Sequence, residues 1–274
     1  SSNISLSNLI NTETLNLSGT ISHSSSNAGI YSTNDINTTS LNLSDGSNGG
    51  LSANYTLSGG THSLTVTKKS LGLSGSRTYD GSLNASSSDL SLSGLVGGQT
   101  LVLSGTGTIA SPNVQAGKLV SVGTLSITDG TGLSSNYELS DSFTLDVTAR
   151  QITATGNKIY DGSNVVSGSN ISSFSNLVGS ETLSATGNGT VASSNVGAGK
   201  TVTLNTLALS NGTGSSSNYT LSGASFDIIQ RPLNIGGTKV YDGSTIIQGG
   251  DISSFANIVS GETLLVSGLS LIHI

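Results

Sequence analysis

The chain reads as an all-β protein, a tandem array of copies of one unit of roughly 82 residues, and three observations predict it. Tyr-Asp-Gly occurs at Tyr79, Asp80 and Gly81, again at Tyr160, Asp161 and Gly162, and again at Tyr241, Asp242 and Gly243, 81 residues apart each time. A second marker, Asn-Tyr-x-Leu, keeps the same order with its rings at Tyr55, Tyr137 and Tyr219. Between the markers, apolar and polar residues alternate with a period of two and are punctuated by turn dipeptides, the pattern of short half-buried strands. Each unit is therefore expected to be a small antiparallel β-sandwich-like module, and the array an elongated rod. A continuous parallel β-helix is the main alternative, although the period is long for its short coils.

Taken in order, the chain opens inside a repeat. Ile4 to Leu15 matches Ile171 to Leu183 with one deletion, and Asp251 to Leu264 repeats it once more. This alignment places a further Tyr-Asp-Gly just upstream of Ser1. The repeats are then a partial copy at 1–67, full copies at 68–149 and 150–231, and a partial copy at 232–268. The last six residues, LSLIHI at 269–274, depart abruptly from the repeat and resemble the in-frame translation of a transposon end used in sequencing libraries. They are read as a sequencing artefact.

Within a copy, Phe143, Leu145 and Val147 alternate with polar neighbours, as do Val202 and Leu204. Asp45/Gly46, Asp129/Gly130, Asn211/Gly212 and Gly97/Gly98 are expected to close tight turns at positive φ. No stretch shows a helical period of apolar residues, and only the Ser-rich segment after Tyr-Asp-Gly, such as Asn164 to Phe174, leaves room for a short helix. Phe143 to Ile152 and Phe226 to Leu233 join one copy to the next without a Gly-rich linker, and Pro232 stiffens the second. Polar faces shield the strand edges, which still leaves a tendency toward end-to-end association.

Scarce residues fall in register. Six of the seven tyrosines lie at the two markers, and the four phenylalanines pair as Phe143 with Phe226 and Phe174 with Phe255. Lys69, Arg150 and Arg231 are equivalent, as are Arg77, Lys158 and Lys239. With only 4% aromatic residues, a ring at a fixed place in each copy is expected to anchor a small core. In Lys158-x-Tyr160-Asp161-Gly162 and its sisters, the aspartate is expected to cap the turn and the glycine to take a positive φ.

Composition narrows the function. Only 9% of residues are charged, so hydroxyls and amides must carry solubility. The net charge is -6 and the nine basic residues are dispersed, which disfavours nucleic acid as a partner. No apolar run is long enough for a membrane-spanning helix. Cysteine is absent, which removes disulfides and thiolate metal sites and suits a chain that crosses an outer membrane unfolded.

No catalytic, cofactor or metal site is expected. One carboxylate per copy has no second acid, histidine or nucleophile at fixed spacing. His23, His62 and His273 occupy unrelated positions, and Asp129 is replaced by Asn211 in the next copy, which breaks any repeated calcium pattern. Asn113 to Lys118 and Asn195 to Lys200 lack phosphate-loop spacing and are read as turns before strands. The sequons at Asn54, Asn84, Asn170 and Asn218 follow from composition.

KVYDGST at Lys239 to Thr245, VGAGKTVT at Val196 to Thr203 and SSNYTLSG at Ser216 to Gly223 together resemble the YDG-type repeats of large bacterial surface and secreted proteins. These are filamentous-haemagglutinin-like adhesins exported by two-partner secretion. The resemblance implies all-β modules at the bacterial cell surface or outside the cell, and an outer-membrane β-barrel transporter as partner during export. It also implies a structural stalk presenting a distal adhesive region, without catalysis in this part. The alternative is that the repeats themselves bind a host-cell glycan or matrix protein through polar, Tyr-bearing surfaces.

Overall fold

The computed structural model describes residues 4–266 and 269–271. Among them the chain is built of short strands joined by turns, and no helix exceeds a three-residue 3-10 turn. Asn164 to Phe174, the segment with room for a short helix, holds the strand Val165–Ser167, one 3-10 turn Gly168–Asn170 and the strand Ile171–Phe174. Asn170 accepts the Ser167 N–H through Oδ1 at 3.3 Å, which closes that single turn, and no apolar helical period follows to propagate it.

The chain divides into two compact units. The first comprises Ser1–Gly75, Asn84–Ala110 and Gly117–Leu145. In it, the opening strand Lys69–Thr78 pairs in parallel with Tyr137–Leu139, with Tyr137 opposite Lys69, and antiparallel with Leu90–Ser93. Thr106–Ile109 pairs antiparallel with both Asn84–Ser86 and Gln115–Ser121. Leu71, Leu73, Ala85, Ile109, Val120 and Leu145 are buried there.

The second unit comprises Ser76–Leu83, Ser111–Ala116 and Asp146–Ile274. Its sheet runs Val165–Ser167, Asn188–Val191, Gly197–Thr203, Tyr219–Ile229, Arg150–Ile159, Ile171–Phe174. The opening strand Arg150–Ile159 lies parallel to the closing strand Tyr219–Ile229 and antiparallel to Ile171–Phe174. This parallel pairing sits inside a mostly antiparallel arrangement. The two strands are the first and last of a copy, so a long connection separates them, as parallel neighbours require. Alternation decides which faces are buried: Ala154 on one strand meets Ala224, Phe226 and Ile228 on the other, with Val166, Val191 and Val202 completing the core.

Glycine is needed at one place by close approach. Opposite Phe226 the opening strand carries Gly156, where a Cβ would lie 2.3 Å from the Asn170 carbonyl oxygen and 2.5 Å from the Phe226 ring. The equivalent Gly75 and Gly237 abut the Asp89 and Asp251 carbonyls in the same way. Each opening strand is thus pinned under the 3-10 turn that follows its own Tyr-Asp-Gly.

The turn dipeptides use glycine differently from the expectation. Gly97 and Gly98 do have positive φ, at 59° and 74°. Gly46, Gly130 and Gly212 do not; a Cβ at each would lie within 2.4 Å of a carbonyl oxygen, that of Thr14, Thr100 or Thr182. Their acidic or amide neighbours cap the loop instead, as Asp129 Oδ1 does in accepting the Ser134 N–H at 2.7 Å. The Asn113 to Lys118 and Asn195 to Lys200 segments run into strands that begin at Gln115 and Gly197, before the lysines. In the second, the strand bulges between Gly197 and Lys200, and the Gly199 N–H donates to Asp227 at 2.7 Å.

Candidate functional site: tyrosine sockets that join repeats

The Tyr-Asp-Gly turns are built alike. Asp80, Asp161 and Asp242 each accept the backbone N–H two residues on, from Ser82, Ser163 and Ser244, at 2.9 Å. Gly81, Gly162 and Gly243 take φ of 76°, 78° and 74°, a region closed to most side chains. The basic residue two positions before the tyrosine supplies the rest. Lys158 Nζ donates to Asp161 at 2.8 Å, to the Ser163 carbonyl at 2.8 Å and to the Val165 carbonyl at 2.7 Å, and only 8% of the residue is exposed. Lys239 holds the Ser244 and Ile246 carbonyls in the same way, and Arg77 pairs with Asp80 and reaches the Ser82 carbonyl. Burial raises the Asp161 carboxyl, but the Lys158 ammonium and the Ser163 N–H outweigh it and leave the group below the ordinary carboxylate range.

This turn aims the tyrosine hydroxyl into the following copy. Tyr79 is 3% exposed, its ring edge-on to Tyr219 with centroids 5.5 Å apart. Its hydroxyl donates to Glu181 Oε1 at 2.6 Å, and Tyr219 donates to Oε2 of the same carboxylate at 2.6 Å. The Arg150 guanidinium donates to the Tyr79 carbonyl at 3.3 Å, and to the Asn176 carbonyl and side chain at 2.7 and 2.6 Å. Asn176 stands at φ 63°, which presents both of its oxygens to the arginine. Gly81 lies against Val178, where an added Cβ would come within 3.0 Å.

The next joint repeats the first. Tyr160 donates to Glu262, Arg231 donates to the Tyr160 carbonyl at 3.3 Å and to both oxygens of Asn257 at 2.6 Å, and Gly162 lies against Val259. Tyr241 carries the same preformed turn but is 94% exposed.

The Asn-Tyr-x-Leu marker forms the other half of the socket. Asn218, 1% exposed, accepts the Val114 N–H through Oδ1 at 2.9 Å and donates through Nδ2 to Asn113 Oδ1 at 3.0 Å. Asn136 does the same for Ala28 and Asn27, at 2.8 and 2.9 Å. A loop of one copy is thereby stitched to the asparagine of the next. Burial of this kind also closes the Asn218 sequon in the folded chain. Each marker tyrosine bonds within its own copy: Tyr55 to Glu13, Tyr137 to Gln99 and Tyr219 to Glu181.

All twelve marker residues singled out in the sequence therefore have a place. Tyr79, Tyr137 and Tyr219 are buried, Tyr55 and Tyr160 are half-buried, and Tyr241 is exposed. Tyr160 packs against the core of its own copy, and Tyr79 and Tyr160 have in addition a role at the joint through their hydroxyls. The residues that complete the socket, Glu181, Glu262, Asn176 and Asn257, were not singled out. Glu181 and Glu262 each follow a Tyr-Asp-Gly tyrosine by 21 residues, and that spacing is the signal that would have found them. The histidines stay apart from the joints: His23 packs on Tyr31 with ring centroids 4.6 Å apart, the His62 N–H bonds Thr33, and His273 lies outside the described residues. Among the described residues, no cluster of three metal-ligating side chains forms and no helix is long and apolar enough to cross a membrane.

The socket predicts an alkaline titration. Burial first, and the Glu181 carboxylate second, push the Tyr79 phenol up to about 12. The protonated phenol is thus favoured in the folded state. The associated stability is fully present below the unfolded value near 10 and is lost as pH rises from there to about 12. It is expected to be on the order of 2 kcal/mol. An ultraviolet phenolate titration should show a late-ionising group that Tyr79→Phe removes; an unchanged curve would refute the assignment.

No curated protein and no solved structure matches the chain significantly. A model of the YDG domain matches residues 61–145 and again residues 144–226, two tandem copies that together cover more than half of the sequence. By that match and by the repeated Tyr-Asp-Gly turns, this chain belongs to the YDG domain family.

Proposed function

We propose that the chain is a structural stalk within a large exported bacterial surface protein, located at the cell surface or outside the cell, where it carries a distal adhesive region. It performs no covalent chemistry; its contribution is reach and, through many copies, multivalent presentation. The reading is supported above all by the duplicated joint. Tyr79 with Glu181 and Arg150, and Tyr160 with Glu262 and Arg231, put the same chemistry at the same step of successive copies. Residues of a kind that could serve a ligand are used to tie copy to copy. Export through an outer-membrane β-barrel transporter accords with a chain free of cysteine.

Small-angle scattering of the 274-residue chain tests the stalk. A compact globule of this length has a radius of gyration of about 19 Å. A stalk requires a clearly larger value, and a result near the compact one would sink the reading. Protease accessibility of the repeats on intact host cells tests the location; full protection that ends only on cell lysis would overturn it.

The second reading, direct binding of a host glycan or matrix protein through polar, Tyr-bearing surfaces, would be favoured over a passive stalk by saturable glycan or matrix binding that is lost on changing surface tyrosines or aspartates.

A further inference from the structure

The joint between the two full copies holds two phenols on one carboxylate. Tyr79 donates to Glu181 Oε1 and Tyr219 to Oε2, each at 2.6 Å, and the rings meet edge to face with centroids 5.5 Å apart and planes at 81°. All three residues belong to the second unit, and the two tyrosines are buried, at 3% and 5% exposure. Sharing one carboxylate does more than satisfy two hydroxyls. It draws the hydroxyl-bearing ends of the rings together, and the ring carbons that flank those ends are the ones at which two phenoxyl radicals join.

Composition leaves tyrosine to take any oxidation. Cysteine, methionine and tryptophan are absent, so the phenol is the side chain in this protein that most readily loses one electron. A phenol gives up that electron easily only when its proton leaves as well, and Glu181 already accepts both hydroxyls. Burial supplies the remaining condition. A radical sheltered from water and dioxygen persists until it meets its neighbour, whereas one on an exposed ring adds oxygen or couples with another molecule.

We infer that Tyr79 and Tyr219 are a modification site, at which a one-electron oxidant couples the two rings into a dityrosine that ties consecutive copies together covalently. The chain is the substrate of this step and supplies no oxidant. Each phenol gives one electron to the oxidant and its hydroxyl proton to Glu181, which passes it to solvent. The two radicals then form one carbon–carbon bond between ring carbons ortho to the hydroxyls. The hydrogens on those carbons move to the oxygens as protons, which restores both phenols. In all, two protons and two electrons leave the chain, and a peroxide that takes them through a peroxidase ends as water. The coupling closes a long loop of the unfolded chain and so opposes unfolding of the joint. In a protein without cysteine it provides the covalent tie that a disulfide provides elsewhere. The inference concerns only this joint and stands whether or not the chain is a stalk.

The preceding copy has Gln99 at the place of Glu181, and Gln99 accepts the Tyr137 hydroxyl. Glu181→Gln should therefore keep the fold and the acceptor while losing the base. The full chain, dilute and folded, is oxidised by ruthenium tris-bipyridyl photolysed with persulfate, and its monomeric fraction is digested with trypsin. Tyr79 and Tyr219 fall on different tryptic peptides, each with no other tyrosine. The expected product is a cross-linked pair of these peptides, lighter than their sum by two hydrogens and fluorescent as dityrosine. Its yield per chain should not change with protein concentration, and Tyr79→Phe or Tyr219→Phe, which keep a ring in place, should each abolish it. Glu181→Gln should slow its formation by about tenfold or more, as expected when a positioned proton acceptor is removed. Cross-links confined to other tyrosines or formed only between molecules, or oxygen added to Tyr79 and Tyr219 without coupling, would overturn the site. A rate unchanged in Glu181→Gln would overturn the role given to the carboxylate.

Discussion

Replacing Tyr79 with alanine is expected to destabilise the second unit by about 3 to 5 kcal/mol, whereas Tyr241→Ala leaves stability within about 0.5 kcal/mol. The two residues share a sequence context and a turn, so the contrast isolates the socket. Tyr79 is 3% exposed and Tyr241 94%. Alanine at 79 removes an edge-to-face ring contact with Tyr219 and one of two phenols on Glu181, and leaves a cavity lined by that carboxylate. Part of the cost is therefore electrostatic: the half-buried Glu181 carboxylate loses one of its two phenol donors. Urea unfolding followed by tyrosine fluorescence and by hydrogen exchange in Tyr219–Ile229 measures both variants. Equal effects at 79 and 241 would show that the turn, rather than the socket, is what the tyrosine serves.

The repeat and its strands were legible because their signals are local. A period of two places Phe143, Leu145 and Val147 on one buried face, and the structure buries all three. The turn logic of Asp-Gly after the tyrosine was legible for the same reason: a carboxylate two residues before a backbone N–H, and a glycine at positive φ, need no tertiary information. What the tyrosine itself does was not legible. Its partner Glu181 lies 102 residues away, in the next copy, and only the fold sets the two side chains together. The parallel pairing of Arg150–Ile159 with Tyr219–Ile229 was hidden likewise, since alternation reports which face is buried but not which neighbour a strand takes. Glycine at Gly130 and Gly212 misled for a different reason. Asp-Gly and Asn-Gly invite a positive φ, yet here the missing Cβ makes room for a threonine carbonyl at the end of the partner strand, a requirement that cannot be told apart from turn formation in one dimension.

Asn218→Ala is the second large effect, expected to cost the second unit about 2 to 4 kcal/mol. Asn218 spends both ends of its amide across a joint, accepting from the Val114 N–H and donating to Asn113, at 1% exposure. Alanine would strand the Val114 N–H against an apolar surface and leave space that water could reach only by opening the joint. Asn54 occupies the same motif position but is exposed, and Asn54→Ala should therefore fall within about 0.5 kcal/mol. Thermal or urea unfolding of the two variants decides between two roles for the motif. If Asn-Tyr served only to start its own 3-10 turn, both substitutions would cost the same, because Ser52–Asn54 and Ser216–Asn218 form that turn alike. A large cost confined to Asn218 would instead place the motif's value in the bond it makes to the preceding copy. The sequence marker that counts the repeats would then also be the residue that fastens them.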